Sequence, residues 1–221
     1  MTSRRIVVVR HGETVSNRER IWQGRLDTGL SDLGVAQARA AAAALTAYRP
    51  AFVVSSDLRR ASVTAELIAS ACGAPLTLDG RLREVDVGQW QGMPNSQVRE
   101  EYADLLDAIA RGEDVAKGIT GERIADVAER VGAVLSELVA RLGAGETALV
   151  VAHGVSGRVG VAWLIGLDQM VASKVLRGMD NCHWADVVEA PGLFSATAPA
   201  EWRLASWNTG ARDLGEPGGA R

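Results

Sequence analysis

Ile6-Val7-Val8-Val9-Arg10-His11-Gly12 is the stretch on which the fold turns. Four consecutive β-branched residues without polar alternation read as a strand buried on both faces, the habit of a parallel sheet covered by helices. The run ends directly on a cation, an imidazole and a glycine. In open α/β sheets ligands bind beyond the carboxyl ends of the strands, so Arg10, His11 and Gly12 stand where a site is expected.

Working outward, the same pattern recurs twice. Phe52-Val53-Val54 runs into Ser55-Ser56-Asp57, and Thr147 to Val151 runs into Ala152-His153-Gly154. Between the strands lie helical patterns. Ser31 is placed to cap a helix that continues to about Tyr48 and stops at Pro50. Asp57 is placed to cap a helix with Leu58, Ala61, Ala65 and Ile68 on one side. Val98, Tyr102, Leu105, Leu106 and Ile109 recur at helical spacing and predict one inserted helix between Asn95 and Gly112, flanked by loops. Ile124 to Leu142 is amphipathic, with Gly143 just past its end, and a Gly/Val-rich helix follows His153-Gly154 to about Gly166. Cys182 to Val188 and Trp202 to Trp207 alternate as a hairpin would. The order predicts an α/β fold: a doubly wound, mainly parallel sheet flanked by helices, with a small helical insertion at about 93–121 and a C-terminal hairpin. One domain is expected over 1–211, followed by a disordered tail over 212–221, which is rich in Gly, Pro and charge.

Composition narrows the function. With 47% hydrophobic and 23% charged residues in 221, the chain has an ordinary globular balance. Its longest apolar run, Val159 to Leu167, falls far short of the roughly 20 residues needed to cross a bilayer. No signal-peptide pattern opens the chain, so a soluble cytoplasmic protein with no membrane partner is expected. A net charge of −3 argues against a nucleic-acid surface. Cys72 and Cys182 lack the spacing of a zinc or redox site and read as buried small hydrophobes. An anionic ligand must then be met locally, and Arg4, Arg5, Arg10, Arg18, Arg20 and Arg25 crowd the first stretch of the chain.

The strand-end residues suit phosphoryl chemistry, which needs a nucleophile, cations and an acid for the departing oxygen. Imidazole can carry a phosphoryl group covalently, and a guanidinium fork matches phosphate oxygens. A lone histidine is ordinarily structural. Here two of only three histidines, His11 and His153, hold the same place relative to a strand, each followed by glycine. His183, beside Trp184 in the hairpin, keeps the structural reading. Arg59 and Arg60 are neighbours about 100° apart on a helix, so one of them faces the pocket, and spacing leaves the choice open. Glu84, after a candidate short strand, is a candidate general acid, although an isolated glutamate is ordinarily a solvated charge. Neither metal-site spacings nor a Walker-A loop occur, so no metal and no cofactor are expected.

Val9-Arg10-His11-Gly12-Glu13-Thr14 with Asn17 resembles the signature of the histidine phosphatase superfamily, the phosphoglycerate mutase-like proteins. The resemblance covers nearly the whole chain. It includes Leu30-Ser31-Asp32-Leu33-Gly34 with Gln37-Ala38, Ser55 to Ala61 with Thr64-Ala65-Glu66, Leu82-Arg83-Glu84, Gly88-Gln89-Trp90-Gln91-Gly92 and Val151-Ala152-His153-Gly154. It implies a metal-independent phosphatase acting on a small phosphorylated metabolite, with His11 as the phosphorylated nucleophile and Glu84 as the acid. Arg10, Arg60 and His153 would hold the phosphoryl group, and Asn17, Gln23 and Gly24 would line the phosphate and substrate side. Trp22 to Thr28, Arg81 to Gly92, Gly178 to Asn181 with Trp184, and Trp202 to Asn208 resemble the group within this family that acts on glucosyl-3-phosphoglycerate. A phosphoglycerate mutase is the enzymatic rival, which the short stretch Met93 to Gly121 disfavours. A non-catalytic phospho-ligand-binding protein is the other. A homodimer is the candidate assembly.

Two departures stand out. Thr120-Gly121-Glu122-Arg123 has Arg123 where the family often has serine, which would remove a hydroxyl near the entrance, and Val155 replaces a common second glycine after His153.

Overall fold

A computed structural model describes residues 3–190 and 201–211 of the chain. Its six strands are β1 (Arg5–Arg10), β2 (Phe52–Ser55), β3 (Leu76–Leu78), β4 (Thr147–Ala152), β5 (Trp184–Ala190) and β6 (Glu201–Thr209), ordered β3-β2-β4-β1-β5-β6. The first four in that order are mutually parallel. β5 runs antiparallel to β1, and β6 antiparallel to β5. The predicted mainly parallel sheet and C-terminal hairpin are both present; the predicted tail, 212–221, lies outside the described residues.

The unalternating sequence of β1 is explained by two cores. A strand points successive side chains to opposite faces. Ile6 and Val8 enter one buried cluster, while Val7 and Val9 enter the other. β2 and β4 divide the same way, Phe52, Val54, Ala148 and Val150 against Val53, Leu149 and Val151. The second cluster is closed by α2 (Asp32–Leu45) and α3 (Arg59–Cys72) through Ala38, Ala41, Leu45, Ala61, Ala65 and Ile68. The first is closed by α6 (Ile124–Arg141) and α7 (Gly154–Leu164) through Val127, Val131, Leu135, Val159 and Val161. The chain also forms the short helices α1 (Val15–Arg18) and α8 (Gln169–Val175). Among the described residues no helix is long and apolar enough to cross a membrane.

Three expectations are corrected. The inserted helix is two helices, α4 (Asn95–Glu101) and α5 (Ala103–Arg111), because Tyr102 leaves helical geometry at φ −127°, ψ 36°. Asp57 does not cap α3: both its oxygens accept from the Arg83 guanidinium, and the Arg59 N–H is taken by Asp27 at 2.6 Å. Cys72, at the end of α3, is half-buried, and Cys182 alone is buried.

α2 fixes the loop after β1 by close approach. Ser31 caps α2 through the Gly34 N–H at 3.0 Å and donates to Glu13 at 2.8 Å, while Gln37 accepts from the Glu13 N–H at 2.9 Å. A Cβ on Gly34 would stand 2.0 Å from the Glu13 carbonyl oxygen, and one on Gly12 would stand 2.5 Å from that of Gly34. Backbone presses on backbone, so neither contact relaxes by a rotamer change. We expect Gly34→Ala to destabilise the protein by about 1–3 kcal/mol, the ordinary cost of overpacking. A urea midpoint unchanged from wild type would show that the loop yields instead.

Candidate active site

The carboxyl ends of β1, β2 and β4 deliver their polar residues to one place. The His11 N–H donates to the Ala152 carbonyl at 3.1 Å and the Ser56 N–H to that of Val151 at 3.0 Å, which ties the three strand ends together. Beside them a cavity of about 260 Å³ is lined by Arg10, His11, Asn17, Gln23, Gly24, Arg60 and Glu84. Of the eight residues expected from sequence, only His153 is not on its wall. His153 is fully buried behind His11, with ring centroids 5.1 Å apart.

The geometry of His11 fixes its tautomer. Nδ1 lies 2.7 Å from the Gly12 carbonyl oxygen. A carbonyl can only accept, so the proton is on Nδ1 and the lone pair is on Nε2. Burial, then the charges of Arg10 and Arg60, hold its pKa well below the usual histidine value. His153 is held low by burial, His11, Arg60, Arg10 and Arg130, and its Nε2 pairs with the Ser56 hydroxyl at 2.8 Å. Both rings are therefore neutral at pH 7.

Two guanidinium groups face His11. Arg60, 1% exposed, donates to the carbonyls of Leu26 at 2.6 Å and Gly24 at 2.8 Å. Arg59 is exposed, so the choice that spacing left open falls to Arg60. Arg10 donates to the Met179 carbonyl. Burial pushes both groups below their ordinary values, with Glu84 opposing the shift in each. The Nε atoms of Arg10 and Arg60 and the Nδ1 of His153 are buried with no partner among the described residues. The two guanidinium Nε–H groups are thus orphaned buried donors, a costly state, and an anion between them would remove that cost.

Glu84 lies across from these cations at the start of α7. Its carboxylate accepts from the N–H groups of Val155 at 3.0 Å and Ser156 at 3.0 Å, and from its neighbour Val85 at 2.9 Å. A Cβ on Gly154 would lie 3.6 Å from Glu84 Oε2 and 3.8 Å from Arg10 Nε, so the glycine leaves carboxylate and guanidinium open to one another.

Asn17 and Gln23 offer donors. Asn17 Oδ1 accepts from the Thr14 N–H at 3.1 Å and Gln23 Oε1 from the Thr28 hydroxyl at 2.6 Å. With both oxygens engaged by protein donors, neither NH₂ group has a hydrogen-bond partner among the described residues, and both side chains belong to the cavity wall.

Sequence reasoning did not single out Arg20, Ile21, Trp22, Asn95, Val85 or Val87 as site residues, yet all line the cavity. Trp22 and Asn95 are joined at 3.2 Å across 73 positions, a pairing with no local signal. His183 stays outside, its Nδ1 3.2 Å from the Asn181 carbonyl. Arg123 is exposed and off the cavity wall, so its departure bears on helix capping rather than on the entrance: Asp114 accepts from the Ile124 and Ala125 N–H groups at 2.7 and 3.0 Å. Val155 does line the cavity. Among the described residues no group of three or more His, Cys, Asp and Glu side chains is placed to hold a metal ion.

Residues 6–201 match the model of the histidine phosphatase superfamily, branch 1. A glucosyl-3-phosphoglycerate phosphatase from Mycolicibacterium vanbaalenii is 39% identical over 96% of this chain and 97% of its own length. A Yersinia pestis protein named "Probable phosphoglycerate mutase GpmB" is 33% identical over 86% of this chain and 88% of its own. Among solved structures, a mycobacterial glucosyl-3-phosphoglycerate phosphatase in complex with VO3 superposes with a TM-score of 0.83 at 36% identity, covering 93% of this chain and 98% of that one. With these matches joined to a neutral histidine among buried arginines, the chain belongs to the histidine phosphatase superfamily.

Proposed function

We propose that the protein is a phosphomonoesterase working through a phosphohistidine on His11. The observation that carries this reading is the Nδ1–H bond to the Gly12 carbonyl, which leaves the Nε2 lone pair of a neutral ring free beside two arginines. In the first step Nε2 attacks phosphorus in line and the bond to the ester oxygen breaks, with Glu84 in its acid form giving that oxygen a proton. Arg10 and Arg60 offset the charge on the phosphoryl oxygens, with the NH₂ groups of Asn17 and Gln23 beside them, His153 behind His11 and Gly24 holding Arg60 by its carbonyl. In the second step water attacks phosphorus, Glu84 takes its proton, and the P–N bond breaks to return His11 and phosphate.

The substrate we propose is glucosyl-3-phosphoglycerate, within the broader class of small phosphorylated metabolites and in a cytoplasmic setting. The support is the naming of the 39% identical relatives, together with what lies beyond the phosphoryl cradle: Arg20 as a cation for a carboxylate and Trp22 as a flat apolar face for a sugar ring. Phosphoryl migration to a second hydroxyl is the rival, favoured by the 33% identical mutase-named relative. Incubation with 3-phosphoglycerate and with its glucosyl derivative separates the two. We expect inorganic phosphate from the glucosyl derivative and no migrated ester from either. His11→Ala should release none, and a His11→Ala protein as active as wild type would sink the nucleophile assignment.

The acid role has its own signature. Glu84→Gln is expected to lower turnover of an alkyl phosphate by about 100-fold or more, the usual scale of acid–base catalysis, and of p-nitrophenyl phosphate far less, since that leaving group departs without a proton.

A neutral His11 also leaves a thermodynamic mark. A histidine depressed in the folded state binds its proton first in the unfolded chain, so stability falls as pH drops below about 6.5, and the loss stops growing below the folded value. We expect His11→Asn to flatten the fall in unfolding free energy between pH 6.5 and 5.5 by up to about 1.4 kcal/mol per pH unit. Parallel wild-type and variant curves in urea titrations would refute the neutral assignment.

A further inference from the structure

We propose that Arg130 is a positioning residue for Glu84, and that with Glu122 it ties the loop of the general acid to the loop that lines the substrate side of the cavity. This rests on the reading of Glu84 as the acid.

Glu84 sits in irregular chain after the short 3-10 turn at Gly80–Leu82, with no sheet partner to hold it. Arg130, on α6, supplies that hold. Nη1 donates to the carbonyls of Arg81 at 2.6 Å and Arg83 at 2.7 Å, and Nη2 to that of Glu84 at 3.2 Å. The two remaining bonds, from Nε and Nη2, go to the two oxygens of Glu122, each at 2.9 Å. A guanidinium has five N–H donors, and all five are now spent on protein acceptors. None remains for substrate, so Arg130 acts through what it holds.

Glu122 extends the clamp on both sides. Its carboxylate accepts from the Asp86 N–H at 2.9 Å, and its own N–H donates to the Asp86 carbonyl at 2.9 Å. The same carboxylate accepts from Arg25 at 2.8 Å. Arg25 directly follows in sequence Gln23 and Gly24, which line the cavity. Burial pushes the Glu122 carboxyl up, but the bonds from Arg130 and Asp86 and the charges of Arg130 and Arg25 bring it below the usual glutamate value. The pair is thus ionised, with side chains only 16% and 17% exposed. The Glu84 backbone is gripped by α6 while its carboxylate is gripped by the first turn of α7, and the two grips together aim it.

Lysine at 130 could keep the bond to Glu122, but a point charge cannot meet three carbonyls in a fixed fork. The test measures kcat/KM of Arg130→Lys, Glu84→Gln and the double variant on glycerol 2-phosphate and on p-nitrophenyl phosphate. For Arg130→Lys we expect a loss of about tenfold or more on the alkyl ester and less than about threefold on the aryl ester. In the Glu84→Gln background the lysine substitution should add nothing on the alkyl ester, because the residues act as one unit. Equal losses on both esters, losses that multiply in the double variant, or no loss would overturn the proposal. Should Glu84→Gln alone show no preference between esters, the acid reading fails instead. Glu122→Gln serves if Arg130→Lys does not fold: it keeps the carbonyl bonds and weakens the pair, so a smaller loss with the same ester preference is expected. An equal or absent effect on the two esters counts against the clamp.

Discussion

Two guanidinium groups, Arg60 fully and Arg10 partly, are withdrawn from water close enough for their charges to oppose one another, and much of the molecule is arranged to tolerate it. Buried like charges repel and forgo hydration. Three loop carbonyls, those of Gly24, Leu26 and Met179, take part of the load, and Glu84 supplies the opposing charge. Burial keeps His11 and His153 neutral, and the same field reinforces it, since a third and fourth positive charge there would raise the cost further. What remains uncompensated is a cluster of donors whose natural complement is a phosphoryl dianion. In the mechanism we propose, the cations that attract the ester also add to burial in keeping the imidazole lone pair available.

Much of this was legible in the chain because it rests on local order. A β-branched run bordered by a motif is a one-dimensional signal, and three such runs foretold three strand ends meeting. The tautomer of His11 and the free NH₂ groups of Asn17 and Gln23 are not legible, because each depends on which atom a turning backbone or a threonine hydroxyl presents. Arg59 and Arg60 illustrate the limit well. Spacing says that one faces inward and the resemblance points to Arg60, while the Gly24 and Leu26 carbonyls that accept from its guanidinium supply the physical reason. Asp57 failed as a predicted cap for the same reason, since a carboxylate two residues from a helix start is also free to meet an arginine twenty-six positions away. Arg130 carried no motif at all; its five acceptors come from segments that are separate in sequence.

The family match adds the chemistry that geometry alone leaves general, and the geometry explains the family's sequence motifs in turn. Ser31, Gly34 and Gln37 are part of the signature although none lines the cavity, because they press and bond the backbone that carries His11. Their constraint is steric and local, and no side chain with a Cβ fits at Gly34 without moving the loop.

The sheet order has a consequence for how the protein is born. β1 lies between β4 and β5, so it pairs with segments about 140 and 180 residues later in the chain. The Cys182 N–H reaches back to the carbonyls of Arg10 and His11, and Asn181 to that of His11. Synthesis from the amino end therefore leaves Ile6-Val7-Val8-Val9 without its sheet neighbours until those segments are made, an apolar edge of the kind that chaperones recognise. His11, the nucleophile we propose, is thus made well before β4, Asn181 and β5, which complete its setting, so phosphoryl-transfer competence waits on those later segments.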